Sequence, residues 1–172
     1  MPRLPWEEGL SASPITCRLR PFLPHDRDAC AAIYAAARRQ AFHWCRPDLF
    51  VPGDFDRDSA GEVITVAVEG GRVRGFVSVW MPDHFVHLLF VDPAHHGRGI
   101  GRRLLRFVEE TFGDWAWLKC QAQNETALAF YRACGWTAGG GGVNELGPWV
   151  AVSWSVSRFP EFPGTAPGRK IP

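Results

Sequence analysis

The stretch that most restricts the fold of this chain is HHGRGIGRRLL, at positions 95–105. It places glycines at 97, 99 and 101, and glycine in such density is costly unless the backbone turns sharply or approaches another group closely. The apolar run HFVHLLFV precedes these glycines. Apolar residues at helical spacing follow them: Ile100, Leu104, Leu105, Val108 and Phe112. The segment therefore predicts a strand, a glycine turn and an amphipathic helix.

A glycine turn at the start of a helix is suited to binding an anion. The first N–H groups of a helix lack intrahelical acceptors, and the macrodipole adds partial positive charge there. A Walker A loop is excluded because no lysine follows the glycines, and a dinucleotide fingerprint is excluded because Arg102 stands where its last glycine belongs. Arg102 and Arg103 oppose the helix dipole unless an anionic ligand is present, although helix propensity alone also explains them. We expect a pyrophosphate at this turn.

The remaining patterns predict an α/β domain with a mixed sheet. Strands with alternating or continuous apolar residues are predicted at 15–22, 84–93, 115–122 and 148–156. The segment 62–82 is typical of a hairpin around a Gly70-Gly71 turn. Helices are predicted at 26–42 and 124–135, and the segment 45–62 is either a loop or a short second helix.

Two further segments are predicted to lie outside any regular element or outside the core. The glycine run 139–142 is interpreted as a loop. The proline-rich segments 1–14 and 158–172 are interpreted as tails on either side of a domain at 15–157.

Composition narrows the class of protein. A chain of 172 residues is long enough for one well-cored domain, and a net charge of +1 argues against a nucleic-acid partner held by bulk phosphate attraction. The five cysteines are odd in number and form no CxxC pair, which favours reduced thiols over disulfides or a zinc site. No segment has the apolar length of a signal peptide or membrane span. We expect a cytoplasmic protein without a membrane partner or a metal.

Two motifs resemble a known family. VDPAHHGRGIGRRLL, at 91–105, resembles the acetyl-CoA-binding motif of the GNAT superfamily of N-acetyltransferases, Q/R-x-x-G-x-G/A, with His96 in place of Gln or Arg. NETALAFYRACGW, at 124–136, resembles the family's later motif, N-x-x-A-x-x-F-Y-x-x-x-G-F, with Trp136 in place of the last Phe. The resemblance covers about residues 15–157 in element order. It implies a single-domain GNAT-like α/β fold, with a mixed, mostly antiparallel sheet of six or seven strands and about four helices.

The resemblance also implies an activity. Such enzymes move an acetyl group from acetyl-CoA to a primary amine by direct attack, without a covalent enzyme intermediate. Two alternatives stay open, namely transfer of a longer acyl group and a non-catalytic acyl-CoA-binding or sensor domain. The acceptor amine (a small amine, an antibiotic, a peptide N-terminus or a protein lysine) also stays open, as does the choice between monomer and homodimer.

The cofactor contacts implied by the resemblance fall on three segments. The main chain of Leu89, Phe90 and Val91 would hold the pantetheine arm and the acetyl carbonyl. Asn124 would cap its helix and touch the CoA arm, although capping alone explains an asparagine there. The pyrophosphate would be bound by the backbone N–H groups of His96, Gly97, Arg98, Gly99, Ile100, Gly101 and Arg102.

The resemblance implies two catalytic side chains. Tyr131 matches the general acid, because a phenol can return a proton to the departing thiolate, although a packed tyrosine is an adequate alternative. The arylalkylamine N-acetyltransferases carry two strand histidines two residues apart, and His87 matches the second, with Phe85 at the first. Strand alternation predicts that His87 shares a face with Leu89 and can point at the acetyl site as the base, although a structural histidine fits equally well. The weaker base candidates are Glu62, Asp83 and His84.

The sequence indicates the binding site for the acceptor amine less clearly. The acidic residues Asp54, Asp56, Asp58 and Glu62 can attract a cationic amine, but a solvated loop explains them better. Three tryptophans can wall an aromatic pocket or serve the core: Trp44, Trp80 and Trp149.

Overall fold

A computed structural model describes residues 17–156 of the chain. The strands found there are β1 (Arg18–Pro21), β2 (Val63–Glu69), β3 (Arg72–Trp80), β4 (Phe85–Val91), β5 (Trp115–Gln121), β6 (Thr137–Asn144) and β7 (Gly147–Ser155). The α-helices are α1 (Arg27–Ala41), α2 (Asp54–Asp58), α3 (Ile100–Phe112) and α4 (Glu125–Ala133). Short 3-10 turns lie at Pro24–Asp26, Pro47–Leu49, Met81–Asp83 and Pro93–His95.

The strands form one sheet in the order β1-β2-β3-β4-β5-β7-β6. Its neighbouring strands are antiparallel except for β4 and β5, which are parallel. The predicted α/β fold, with a mixed and mostly antiparallel sheet, is confirmed, as is the short second helix. The hairpin between β2 and β3 turns at Gly70 and Gly71, whose φ angles of 58° and 73° suit glycine. The tails predicted at 1–14 and 158–172 lie outside the described residues.

The sheet separates two hydrophobic cores. On one face, called here the α3–α4 face, Leu104 and Val108 pack with strand residues such as Val77 and Leu118. On the other, the α1–α2 face, Ile33 and Phe55 pack against Phe76 and other strand residues. Because successive side chains of a strand point to opposite faces, one apolar run such as Phe76–Val77 supplies both cores.

The loop predicted for the glycine run at 139–142 is wrong, because these residues belong to β6. Gly141 and Gly142 pair with Val150 and Trp149 of β7, whereas Gly139 and Gly140 lie in a register shift between Ala138 and Gly141. A Cβ on Gly142 would lie 2.9 Å from Cζ2 of Trp149. Close packing of the Trp149 ring therefore explains glycine at 142, and a φ of 66° explains glycine at 140.

Candidate active site

The glycine turn joins β4 to α3 as the sequence predicts. Gly97 and Gly99 have φ angles of 75° and 81°, which side chains other than glycine rarely adopt. A Cβ on either would meet no heavy atom within 4 Å, so open space lies over the turn. Gly101 has a different role, because its Cβ would lie 3.4 Å from Cζ of Phe130 on α4. The backbone conformation therefore favours glycine at 97 and 99, whereas Gly101 lies in close contact with α4.

The backbone N–H groups of this turn have no acceptors among the described residues. From Gly97 to Arg102, six successive N–H groups make no backbone or side-chain hydrogen bond, and the first helical bond runs from Arg103 N to Gly99 O at 3.0 Å. The N-cap residue, Gly99, offers no side-chain acceptor. An exposed row of unpaired donors at a helix N-terminus fits a phosphate group.

His96 lies at the edge of this row and not within it. Its N–H points at Pro93 O at 3.5 Å, and its ring Nε2 lies 3.1 Å from Val91 O. The side chain therefore fastens the turn back onto the end of β4. It also occupies the carbonyl of Val91, one of the main-chain positions expected to contact pantetheine.

The parallel strands β4 and β5 separate immediately after they meet. Only Phe85 with Trp117 and Val86 with Leu118 are paired. Beyond them, the edge of β4 that faces β5 has no partner among the described strands over 88–91, which includes the predicted cofactor positions Leu89, Phe90 and Val91. The gap leads toward the glycine turn, so it can receive an extended chain with main-chain hydrogen-bonding groups.

The predicted position of His87 is wrong with respect to its face of the sheet. Ser78 of β3 pairs with Leu88 and Val79 pairs with Val86, so His87 is the extra residue of a β-bulge. The bulge breaks the strict alternation on which the prediction depended. His87 therefore lies on the α1–α2 face, whereas Leu89 packs into the opposite core.

His87 is held by a carboxylate that the sequence suggested only as an alternative base. Its Nδ1 lies 2.7 Å from Oε1 of Glu62, and the other oxygen of Glu62 accepts a hydrogen bond from the Ser78 hydroxyl. The side chains of His87 and Glu62 are only 13% and 7% exposed. An ionised carboxylate can only accept, so Nδ1–H of His87 is the donor to Glu62, and in the tautomer that carries only this proton the Nε2 lone pair is available.

Tyr131 lies on the other face of the sheet, in the α3–α4 core. Its side chain packs beside Phe130 and Trp136, with ring centroids 5.3 and 6.2 Å away. Its hydroxyl has no hydrogen-bond partner among the described residues. Burial, with the nearby thiols of Cys120 and Cys134, raises the pKa of Tyr131 well above its ordinary range, so the phenol stays protonated.

The remaining predicted residues have mainly structural contacts. Oδ1 of Asn124 accepts from Ala127 N at 3.1 Å and caps α4 as predicted. The ring of His84 stacks between Phe112 and Trp115, at 4.4 and 4.5 Å, so it is occupied in packing. The backbone carbonyl of Asp83 accepts from the indole of Trp117 at 3.0 Å.

The acidic segment before β2 is not a free negative surface. Asp54 pairs with Arg38 at 2.9 Å, and Asp56 pairs with Arg27. Asp58 accepts from the hydroxyl of Tyr34 at 2.8 Å. These carboxylates are balanced by protein cations and donors, so they offer little attraction to a cationic amine.

The three predicted tryptophans have different contacts. Trp80 lies opposite Phe85 in the β3–β4 pair. Trp44, beyond the end of α1, donates its indole N–H to Leu146 O at 3.2 Å, which links that loop to the β6–β7 turn. Trp149 lies under the ammonium of Lys119, whose Nζ is 4.8 Å from the ring centroid.

A basic groove opens beside the glycine turn. It has a volume of about 570 Å³ and runs between β1 and α3. Its walls include the turn residues Arg98 and Gly99 and four more arginines: Arg18, Arg102, Arg103 and Arg106. The positive charge around the turn matches an anionic ligand.

Residues 17–156 contain no cluster of His, Cys, Asp and Glu able to hold a metal ion. All five cysteines lie in this range and are free thiols, three of them buried. No helix in the same range is long and apolar enough to cross a membrane.

The chain matches known sequences over much of its length. The model of the Acetyltransferase (GNAT) family matches residues 27–136. The N-alpha-acetyltransferase RimI of Mycobacterium tuberculosis is 35% identical over 97 residues, which are 51% of this chain and 61% of that protein. The peptidyl-lysine N-acetyltransferase YiaC of Escherichia coli is 32% identical over 95 residues, 51% of this chain and 60% of that protein. The chain thus spans about three fifths of each of these relatives.

Solved structures share the fold. A GCN5-related N-acetyltransferase of Rhodopseudomonas palustris superposes with a TM-score of 0.70 at 22% identity, covering 82% of this chain and 96% of that one. The PaiA N-acetyltransferase of Thermoplasma acidophilum, solved in complex with coenzyme A, superposes with a TM-score of 0.63 at 10% identity, covering 81% and 99%.

Proposed function

The chain belongs to the GNAT family of acetyltransferases, and on that premise we propose that it transfers the acetyl group of acetyl-CoA to a primary amine by direct attack. The observation that carries the proposal is the row of six unpaired N–H groups from Gly97 to Arg102, at the end of the gap between β4 and β5. The row suits a pyrophosphate, and the gap suits the extended pantetheine arm leading back to the sheet. The open space over Gly97 and Gly99 leaves room for such a ligand.

In this proposal the two faces of the sheet supply different proton carriers. Nε2 of His87 receives the proton that the acceptor ammonium must lose before its nitrogen can attack. Glu62 is a positioning residue, which fixes the ring through Nδ1 and stabilises the imidazolium once it forms. Tyr131, on the opposite face, gives its phenolic proton to the departing thiolate. Asn124 caps α4 and, we propose, also contacts the CoA arm.

The experiment that tests the proposal is a screen for release of free thiol from acetyl-CoA with a panel of primary amines. The names of the two relatives point to polypeptide amines, so the panel includes peptide N-termini and lysine side chains beside small amines. Mass spectrometry of the products identifies the acetylated nitrogen. A protein that binds acetyl-CoA but releases no thiol with any acceptor would be a binding domain, not an enzyme.

A second candidate donor is a longer acyl-CoA. The same assay with acetyl-, propionyl- and butyryl-CoA compares the donors directly. We expect acetyl-CoA to have the largest kcat/KM, and a preference for butyryl-CoA would replace the proposed donor.

The base is tested by its dependence on pH. The wild-type rate should fall at acid pH, because a protonated imidazole cannot accept the amine proton. His87→Gln should lose about a hundred-fold in kcat together with this acid limb. Glu62→Gln should keep the limb but lower kcat, because the variant loses the carboxylate that orients the ring. Retention of the limb in His87→Gln would assign the titrating group to another residue.

We also propose that residues 15–157 form the catalytic domain and that the segments 1–14 and 158–172 are dispensable. The truncated protein 15–157 should bind acetyl-CoA as the full chain does. Isothermal titration of both proteins decides this, and loss of binding in a folded truncated protein contradicts it.

A further inference from the structure

The α1–α2 face carries a cation near His87, Lys119, that has no anionic partner within residues 17–156. Lys119 lies on β5 between Leu118 and Cys120, which both pack into the opposite core. Its side chain therefore points to the α1–α2 face, where His87 also lies. Among residues 17–156, no hydrogen bond or ion pair involves its ammonium.

Lys119 lies where β4 and β5 begin to separate. Val86 and Leu118 form the last pair of β4 with β5, so His87 and Lys119 are the first residues past it on either side of the gap. Phe85 lies between them: its ring centroid is 5.7 Å from that of His87 and 6.0 Å from Nζ of Lys119. The proposed base and the ammonium therefore flank the same aromatic ring.

The surroundings of Lys119 are aromatic. Nζ lies 4.8 Å from the centroid of Trp149, and Trp117 packs against Phe85 at 4.6 Å. Burial lowers the pKa of Lys119, which means that desolvation of the charged form is not offset by an anion. Contact with the rings stabilises the ammonium in part, and its three N–H donors have no acceptor among residues 17–156, so they are available to a ligand.

We propose that Lys119 binds a carboxylate of the acceptor, so that the preferred acceptors are primary amines carrying a carboxylate a few bonds from the reacting nitrogen. This inference rests on the proposed function for the amine end of the acceptor. An acceptor with its amine at His87 would otherwise bring an ammonium toward an unpaired lysine, and a carboxylate removes that repulsion. The His87 ring and Nζ of Lys119 both lie within 6.0 Å of the Phe85 ring centroid, so the two charged groups of the acceptor must be close. Free amino acids and the N-termini of acidic peptides both have this chemistry.

The proposal is tested with matched acceptors that differ only in the carboxylate. The pairs are 4-aminobutyrate with butylamine, phenylalanine with phenylalaninamide, and a peptide beginning with Asp with the same peptide beginning with Asn. We expect wild type to favour the carboxylate member at least ten-fold in kcat/KM, with the difference in KM. The amino-acid and peptide pairs distinguish the two sources of the carboxylate.

Variants of Lys119 separate recognition from packing. Lys119→Gln should remove the preference, and Lys119→Arg should keep most of it. Lys119→Glu should reverse it, so that 1,4-diaminobutane becomes a better acceptor than 4-aminobutyrate. The only other lysine of the chain, Lys170, provides the control, and Lys170→Gln should behave as wild type. Equal kcat/KM within each wild-type pair, or an unchanged preference in Lys119→Gln, would overturn the proposal.

A binding measurement keeps the test independent of turnover. Because the chain has two lysines, labelling with 13C-lysine yields two Cε signals, assigned with the Gln variants. We expect the Lys119 signal to shift saturably with phenylacetate but not with phenylacetamide, and the Lys170 signal to stay unchanged. No shift overturns the carboxylate site, whereas a shift without thiol release from any amine contradicts the proposed function alone. Acetylation of Lys119 itself, seen by peptide mass, would make it a nucleophile and overturn its role as an anchor.

Discussion

The two tyrosines of the chain are buried to a similar degree in opposite surroundings. Tyr34, on α1, and Tyr131, on α4, are 4% and 8% exposed, and burial raises the pKa of both phenols. The hydroxyl of Tyr34 donates to Asp58 at 2.8 Å, and the guanidinium of Arg38 covers its ring at 4.5 Å. The hydroxyl of Tyr131 has no partner among the described residues. In the described part of the chain, the hydroxyl of Tyr34 is therefore hydrogen-bonded and that of Tyr131 is not.

The difference extends to the regions around them. Near Tyr34, the buried guanidinium of Arg38 pairs with Asp54, and each charge is matched by another. Across the sheet, the N–H groups of the glycine turn and the edge of β4 are left open. Exposed N–H groups without protein acceptors at a helix N-terminus are suited to binding an anion, whereas the paired charges around Tyr34 are suited to a structural role. This contrast leads to four predictions.

The largest effect is expected from substitution of Gly99 in the glycine turn. In Gly99→Asp, a side chain and a negative charge enter the space over the turn, where we place the pyrophosphate. Acetyl-CoA should raise the Tm of wild type by mass action and leave that of the variant unchanged. Thermal unfolding over a series of acetyl-CoA concentrations measures both.

A matched control lies at the other end of the same helix. Gly113, at the C-terminal end of α3, has a φ of 78° and also no heavy atom within 4 Å of a Cβ. Gly113→Asp therefore has the same backbone strain without blocking the turn. Both variants should unfold at a lower temperature than wild type without ligand, but only Gly99→Asp should lose the acetyl-CoA shift. A shift retained by folded Gly99→Asp would remove the turn from the cofactor site.

The second-largest effect is expected at Tyr131, whose hydroxyl has no hydrogen-bond partner among the described residues. Tyr131→Phe removes the proposed proton donor and preserves the packing of the ring, so kcat should fall by about ten- to a thousand-fold. The Kd for acetyl-CoA should change little. Steady-state rates with a good amine, together with isothermal titration, separate the two quantities. An unchanged kcat, where chemistry is shown to limit the rate, excludes Tyr131 as the acid.

Substitution of Tyr34, whose hydroxyl is hydrogen-bonded, should instead lower stability and leave kcat nearly unchanged. Tyr34→Phe loses one hydrogen bond to a buried carboxylate, which Arg57 still contacts at 2.8 Å, so we expect a loss of about 1–2 kcal/mol in the free energy of unfolding. Its kcat should stay within two-fold of wild type. Urea unfolding and the same rate assay test this. A loss of activity as large as that of Tyr131→Phe would mean that the α1–α2 cluster reaches the reacting groups.

The sequence alone predicts the glycine turn better than it predicts the ion pair of Arg38 with Asp54. The turn at Gly97 and Gly99 is local, because a positive φ and a helix start depend on neighbouring residues. The pairing of Arg38 with Asp54 depends on how α1 packs against α2, sixteen residues away in the chain. Asp54 was therefore interpreted as part of a solvated loop, although its carboxylate is buried and paired.

Two other differences have specific causes. The face occupied by His87 depends on a β-bulge, and alternation of apolar residues cannot reveal one extra residue opposite Ser78. Its pairing with Glu62 joins residues twenty-five positions apart across the sheet. Lys119 was not singled out because a lysine within a strand is usually solvated, and only the packing of Trp149 and Phe85 sets it apart.

The smallest expected effect is on stability: the contribution of the Arg38–Asp54 ion pair to the free energy of unfolding should depend on pH. Burial of the Asp54 carboxylate opposes its ionisation, but hydrogen bonds from Val51 N and Arg38 outweigh this and lower its pKa. A carboxyl group with a lowered pKa stabilises the fold above the pKa of the unfolded chain, about 3.9, and this contribution is lost as pH falls through the folded value. Asp54→Asn should therefore be less stable than wild type at pH 7, by a margin that shrinks on acidification below about pH 5. Urea midpoints between pH 7 and pH 3 measure the margin, with Asp28→Asn as the control because the side chain of Asp28 is 89% exposed. If the stability difference between Asp54→Asn and wild type stays constant with pH, the charge of Asp54 does not contribute to the stability of the fold.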